Sequence, residues 1–391
     1  MFGISALITA LSEGQTNTQA IISFATTGFI GALLSTAAVV SFIRYTHKPS
    51  ADEQVSNSVT GLSLIVGIIA MGVVLLIGKS TQTDQSINWL VLPLITIPAV
   101  TIPIWLILRL GTKDLPSESR WRAWSTFGLS ISITPLLLLI LEIVVLVFVF
   151  FMVVIYVVAN PALAGELETL SNQFTYPNIS QDDAVRYMVP YLTKPGVLIS
   201  AFALFSIIFP MLEEAFKPLG VWLLAGKLTS QAQGFALGAL CGAGFALVET
   251  LNVSAQTENW TSVLIARIGT AAMHITASAL VGSGILSAVN EKRYLRLFST
   301  YFFAVLLHGL WNFAALSNSF STVLNIYEPS DLYQTIATCS GIGLAVLAAA
   351  LIVILIILNR RQPKTATVDV QNVVVESPPE NRYLNTDNQT K

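Results

Sequence analysis

The residues best suited to chemistry are acids, histidines and an amide that fall inside long apolar runs. They are Glu213, Glu214, Glu249, His274, His308 and Asn312, with Lys217 and Phe245 at helical spacing from them. An ionisable side chain inside a bilayer costs about 2.5–3.5 kcal/mol on insertion scales, so its presence there is a functional hypothesis by default. The chain has only three histidines, and two of them lie in these runs.

The spacing of these residues places them in pairs on single helical faces. Three pairs stand four residues apart: Glu213 with Lys217, Phe245 with Glu249, and His308 with Asn312. Side chains at this spacing are neighbours on a helix, where an acid can pair with a lysine. Small residues such as Gly242, Gly282 and Gly309 lie in the same runs and favour a close approach of the helices.

The chemistry that this set favours is the activation of a water molecule. A carboxylate in a cavity of low dielectric constant could act as a general base. His274 and His308 could position the water or bind a metal, because two histidines and a carboxylate suit a catalytic zinc with an open position. The Asn312 amide could donate to an oxyanion. The sequence lacks a His-Glu-X-X-His helix, a Gly-X-Ser-X-Gly element and a pair of intramembrane aspartates.

The composition indicates a membrane protein. Of 391 residues, 20 are Lys or Arg and 22 are Asp or Glu, so 11% are charged and 54% are hydrophobic. An ordinary soluble domain has about 25% charged residues, so the composition excludes a soluble enzyme and disorder of most of the chain. The net charge of −2, without a basic block, gives no support to a nucleic-acid partner.

The elements that must position these residues are membrane-spanning helices. One crossing of the bilayer needs roughly 20 apolar residues, and nine runs in the sequence are about this long or longer. They cover residues 19–43, 59–78, 89–109, 127–159, 197–216, 232–251, 263–289, 298–316 and 333–358. Each must be helical, because lipid offers the backbone no hydrogen-bond partners. The sequence therefore predicts an all-α polytopic bundle of about nine transmembrane helices.

The long run at 127–159 exceeds a perpendicular crossing, so it should tilt or project from the membrane. We divide the chain into five regions. They are a four-span region (1–159), an extracytoplasmic loop (160–196), a catalytic four-helix core (197–316), a loop with the last span (317–358), and a disordered cytoplasmic tail (359–391).

Basic residues predict the orientation, because cytoplasmic loops carry an excess of Lys and Arg. One set of connections holds Arg44, Lys48, Arg109, Lys113, Arg120, Arg122, Lys227, Lys292, Arg293, Arg296, Arg360, Arg361 and Lys364. The alternate set holds only Lys79, Arg186 and Lys194. The N-terminus should therefore lie outside and the C-terminus in the cytoplasm.

The motifs in this order resemble those of the PrsW family of intramembrane proteases. The pattern is Glu213-Glu214-X-X-Lys217, Phe245-X-X-X-Glu249, a lone His274, and His308-X-X-X-Asn312, on four consecutive helices. The family is similar in turn to the CAAX-prenyl proteases, which carry a Glu-Glu-X-X-X-Arg motif and a histidine where this chain has Glu249. The resemblance covers about residues 197–316.

The resemblance implies an intramembrane endopeptidase that cleaves a membrane-anchored protein, such as an anti-sigma-factor-like protein. Glu213 would be the general base, and His274 and His308 would hold the water or a divalent metal such as zinc. Glu249 would be a second acid or ligand, and Asn312 the oxyanion donor. Glu214 and Lys217 would orient the site. The resemblance leaves both a metal-dependent and a glutamate-dependent mechanism open, and its usual distribution favours the bacterial plasma membrane.

Two other classes of function remain as alternatives. A non-enzymatic scaffold is one, because the scaffold subunit of γ-secretase resembles the same superfamily; a pure scaffold has no need of this polar set. A proton-coupled transporter is the other, since Glu and His also relay protons, but the chain shows no internal repeat. Among the remaining charges, we expect Glu142 to be structural and Arg267 to reach the membrane interface.

Overall fold

The structure, a computed structural model, describes residues 18–47, 54–55, 60–84, 86–115, 118–174, 179–254 and 259–362. The N-terminal helices are α1 (Thr18–His47), α2 (Gly61–Thr81), α3 (Asn88–Thr112), α4 (Arg120–Ser130), α5 (Ile133–Val158), α6 (Pro161–Phe174) and α7 (Gln181–Leu192). The later helices are α8 (Pro195–Ala203), α9 (Phe209–Phe216), α10 (Leu219–Leu224), α11 (Gln231–Ser254), α12 (Trp260–Glu291), α13 (Tyr294–Tyr327) and α14 (Asp331–Arg361).

The predicted helical membrane architecture is confirmed. Nine helical segments within the described residues are long and apolar enough to cross a membrane. The long run predicted at 127–159 is not one continuous helix, because α4 ends at Ser130 and α5 begins at Ile133. Pro135 supplies a physical reason, since a proline in the first turn of α5 has no N–H to continue a helix from α4.

The centre of the bundle is the pair α11 and α12, the two most buried of the candidate spans. Glycines on α11 permit their close approach. A Cβ added at Gly234, Gly238 or Gly242 would overlap a carbonyl oxygen of α12, and Gly282 makes the reciprocal contact with α11. The carbonyl that meets Gly242 belongs to His274, so this contact fixes a candidate site residue against the neighbouring helix.

A single long segment runs from α8 to α10 beside this pair. A π-helical turn, Leu204–Ile208, joins α8 to α9, and Lys217 and Pro218 separate α9 from α10. The helix is therefore interrupted at Pro218, which has no N–H to continue it. Helix α13 packs closely on the π-helical turn, because a Cβ on Gly309 would overlap the carbonyl oxygen of Ser206.

Outside the candidate spans, the described residues form short elements. Helices α6 and α7 lie in the predicted outer loop, and β1 (Gln54–Val55) pairs antiparallel with β2 (Glu118–Ser119). The five-region division and the orientation of the termini stay predictions. The predicted tail begins within α14, and residues 363–391 lie outside the described part of the chain.

Candidate active site

The predicted site residues converge between four helices. The end of α9 supplies Glu213, Glu214 and Lys217, while α11 supplies Phe245 and Glu249, α12 supplies His274, and α13 supplies His308 and Asn312. Lys217 contacts the two acids and both histidines, His274 contacts Phe245 and Glu249, and Asn312 stands one helical turn from His308. The structure thus brings together residues separated by about a hundred positions in the sequence.

Lys217 lies at the centre of this cluster, with its side chain fully buried. Its Nζ donates to Glu214 Oε1 at 2.7 Å and pairs with Glu213 Oε2 at 3.0 Å. The same nitrogen lies 2.6 Å from His274 Nδ1 and 3.3 Å from His308 Nδ1. An ammonium group has only hydrogen-bond donors, so it organises carboxylate and imidazole acceptors as a small cation would.

His274 is held by a second carboxylate on its other nitrogen. Its Nε2 lies 2.7 Å from Glu249 Oε2. Because Lys217 can only donate to Nδ1, the hydrogen of a neutral His274 ring resides on Nε2 and is donated to Glu249. Arg267 Nη2 contacts the same Glu249 oxygen at 2.7 Å, and its Nε donates to Thr250 Oγ1.

Arg267 thus forms an ion pair with Glu249, and only 14% of its side chain is exposed. Its predicted reach to the membrane interface stays a prediction. A buried guanidinium is costly without a carboxylate partner, so Glu249 stabilises Arg267 in this position. Its four-residue neighbours on α12 include no acid, so spacing within one helix could not have revealed this pairing.

His308 has the corresponding arrangement with the other acids. Its Nδ1 lies 2.8 Å from Glu214 Oε1, and its Nε2 lies 3.9 Å from Glu213 Oε2. The His274 and His308 rings are perpendicular, with centroids 5.2 Å apart. Phe245 covers the cluster: its ring is edge-on to His274 at 5.1 Å, and Lys217 Nζ lies 4.9 Å from its centroid.

Asn312 contacts the backbone of the long segment. In the π-helical turn, the Phe209 N–H bonds to the Leu204 carbonyl, which leaves the Phe205 carbonyl without its usual α-helical donor. Asn312 Nδ2 donates to that Phe205 oxygen at 2.8 Å. The amide nitrogen carries a second hydrogen, so this contact orients Asn312 without using all of its donors.

Glu142 also belongs to the surroundings of this cluster. It is half-buried in the otherwise apolar helix α5, which packs against α9 and α11. It lies close enough for electrostatic interaction with Glu213, Glu249 and Lys217. The sequence showed Glu142 as an isolated acid, and only the packing of α5 places it near the other acids.

The donor atoms present fit a divalent metal. One oxygen of Glu213 and one nitrogen each of His274 and His308 lie within 4.8 Å of one another. Among the described residues, the buried Glu214 Oε2 has no hydrogen-bond partner. The three carboxylates on α9 and α11 outnumber the two cations, Lys217 and Arg267, and this negative excess favours a bound cation.

Each of the two histidines that could bind a metal also contacts a carboxylate through one of its ring nitrogens. Metal-binding histidines commonly donate their second ring N–H to a carboxylate. Glu249 takes this position at His274 Nε2, and Glu214 takes it at His308 Nδ1. The Lys217 ammonium occupies the space beside His274 Nδ1, so a metal bound through that atom requires the ammonium to withdraw from it.

Comparison with known proteins agrees with this geometry. No curated protein and no solved structure matches the chain. A family model, the PrsW family intramembrane metalloprotease, matches residues 134–356, which include every predicted site residue. The match confirms the predicted protease over the scaffold and transporter alternatives, and a metalloprotease family implies a divalent metal. Because the matched segment spans more than half of the chain, the protein belongs to the PrsW family and is an intramembrane protease.

Proposed function

We propose that Glu213, His274 and His308 hold the divalent metal of this protease, and that the site cleaves a membrane-anchored protein. The observation that carries the proposal is the convergence of one oxygen and two nitrogen donors within 4.8 Å inside the spans. When bound, a metal such as zinc would polarise a water molecule and the substrate carbonyl. We place the protein in the bacterial plasma membrane, with a substrate class that includes anti-sigma-factor-like proteins.

Glu213 is the carboxylate that we assign to proton transfer. Of the two adjacent acids, Glu214 is fully buried and holds Lys217 and His308, whereas 13% of the Glu213 side chain is exposed. Only Glu213 therefore faces space that a substrate can enter. The Glu213 oxygen that does not hold the metal accepts the proton of the attacking water and returns it to the leaving amine.

The other residues orient these groups. Glu249 fixes the His274 ring through Nε2, and Arg267 holds Glu249 in turn. Glu214 performs the same task for His308. Asn312, oriented by the Phe205 carbonyl, donates its second N–H to the oxyanion that forms on the scissile carbonyl.

A lipid-facing groove beside the cluster suits the substrate. An apolar cavity of about 590 Å³ lies between the long segment and α13. Its lining includes Phe202, Ser206 and Gly309, and Gly309 adjoins His308 in the chain. An intramembrane protease acts on a membrane protein, so we assign this groove to the apolar segment of the substrate.

Proteolysis is tested by comparing new protein N-termini in membranes that carry the wild type or Glu213→Gln at matched levels. We expect a set of termini within or beside single-span proteins that occurs only with the wild type. Glu328→Gln, which changes an exposed acid at the end of α13, is the control and should give the wild-type set. Identical profiles for wild type and folded Glu213→Gln would remove Glu213 as a catalyst.

Metal binding is tested on the purified protein by elemental mass spectrometry. We expect about one divalent ion per chain in the wild type and at least a tenfold lower occupancy in His274→Gln and His308→Gln, because each removes a ligand. Glu328→Gln should retain the metal. Wild-type protein that binds no divalent metal at micromolar concentrations, while still cleaving its substrate, would contradict this part of the proposal.

A further inference from the structure

A second cavity, mostly apolar but with two charged residues in its lining, lies away from the cluster around Lys217. It has a volume of about 160 Å³ and lies between the last turns of α3, the start of α4 and the first half of α11. Its lining residues are Trp105, Leu108, Arg109, Thr112, Glu118, Ala123, Ala236, Leu237 and Leu240. None of them belongs to the cluster around Lys217.

Glu118 gives this cavity its chemical character. The residue is only 6% exposed, and among the described residues neither of its carboxylate oxygens has a hydrogen-bond partner. Arg122 Nη1 lies 3.7 Å from one oxygen, which is an ion-pair distance rather than a hydrogen bond. Arg122, Gln233 and the Ser119 backbone lie nearby but leave both oxygens without a hydrogen bond of good geometry, so the site favours a ligand that supplies one.

Burial also raises the pKa of Glu118, and the Arg122 guanidinium, the Gln233 side chain and the Ser119 backbone oppose that rise only in part. The carboxylate is therefore incompletely compensated by its own protein surroundings. A cationic hydrogen-bond donor in the cavity would stabilise the ionised form of Glu118 and satisfy both oxygens together.

The other lining residues of the cavity indicate that such a ligand is a lipid. Arg109 adds a positive charge to the lining, and Trp105, which is 37% exposed, lies on the outer face of α3. Both residues lie in the last two turns of a membrane-spanning helix, at the depth where lipid headgroups meet the hydrocarbon. The cavity thus combines an acid and a base at a lipid-accessible edge.

We propose that this cavity binds the headgroup of an ethanolamine phospholipid, with the ammonium on Glu118 and the phosphate towards Arg109. A primary ammonium has three N–H donors, which suits two unpartnered carboxylate oxygens, whereas a quaternary choline has none. An engineered cavity of about 150 Å³ holds benzene, and ethanolamine has fewer heavy atoms than benzene. Water alone would satisfy the oxygens but would not distinguish between these lipids.

The test measures lipid binding to the full chain by native mass spectrometry, after delipidation in detergent. Phosphatidylethanolamine and phosphatidylcholine with identical acyl chains are compared. We expect the wild type to prefer the ethanolamine lipid by about tenfold or more, as one charged hydrogen-bonded contact allows. Glu118→Gln should bind both lipids equally. Glu168→Gln, a change of an exposed acid on α6, should keep the wild-type preference.

Two further measurements distinguish lipid binding from a folding defect and from binding of the free headgroup. If Glu118→Gln does not fold, Ala123→Leu fills the cavity while leaving both charges in place, and it should also abolish the preference. Soluble ethanolamine at the lipid concentration should not displace the phospholipid. Equal binding of both lipids to the wild type, or displacement by soluble ethanolamine, would overturn the lipid assignment, and neither outcome depends on proteolysis.

Discussion

Lys217 compensates the buried negative charges of the site. Its ammonium contacts two carboxylates and both histidines, and its side chain is completely enclosed. Removing one partner of a buried ion pair leaves an uncompensated charge in a medium of low dielectric constant. The lysine therefore supports the folded state as well as orienting the acids.

We expect Lys217→Met to lower the free energy of unfolding by about 3–5 kcal/mol, the range for breaking a buried ion pair. Lys194→Met is the matched control, because Lys194 pairs with Glu166 at the surface, where 39% and 52% of the two side chains are exposed. That change should cost only about 0–1 kcal/mol. Chemical denaturation in detergent micelles measures both, and equal losses would refute the central role of Lys217.

The sequence predicted most of the residues that the structure brings together in this cluster, but not all of their contacts. Apolar surroundings and four-residue spacing singled out Glu213, Lys217, His308 and Asn312. The ion pair between Glu249 and Arg267 joins different helices, so no periodicity within one helix could predict it. The central position of the Lys217 ammonium likewise depends on how α9, α12 and α13 pack.

At the scale of elements, the glycine contact between α11 and α12 sets the position of His274. A Cβ at Gly242 would overlap the His274 carbonyl oxygen, and backbone atoms in a packed core cannot move aside easily. The prediction that small residues permit close approach at these positions is confirmed at Gly242, Gly282 and Gly309.

Gly242→Ala should therefore displace α12 and the histidine that it carries. We expect a stability loss of about 1–3 kcal/mol from overpacking. Cleavage should fall by about a hundredfold, as for a misplacement of about 1 Å. Gly72→Ala on α2 is the control, since a Cβ there meets no atom within 4 Å. Unchanged cleavage by Gly242→Ala, measured on a substrate identified from the N-termini, would show that this contact does not position His274.

Two features of the helices could not be predicted from the sequence, for physical reasons. The π-helical turn Leu204–Ile208 has the same apolar pattern as an α-helix, so hydropathy could not reveal it. The bond from the Phe209 N–H to the Leu204 carbonyl distinguishes it. The interruption between α4 and α5 lies inside one hydrophobic run, so hydropathy alone predicted a continuous helix there.

At the scale of the whole molecule, hydropathy predicted nearly all of the architecture, because lipid permits only helices or closed barrels to span it. Hydropathy did not predict which spans pack against one another. The family match begins at residue 134, yet the preceding helices contact the matched region. Trp260 of α12 is buried and its Nε1 donates to Thr96 Oγ1 of α3 at 2.8 Å, so α3 supports the core directly.

The most direct test of the central claim is whether Glu213, His274 and His308 act as one centre. One substrate fragment is quantified in Glu213→Gln, His274→Gln, His308→Gln and the triple variant, each at matched abundance in the membrane. Residues that act as a unit have grossly non-additive effects on rate, so each single change should abolish cleavage almost as completely as the triple change. Wild-type cleavage by any one folded single variant would contradict the account.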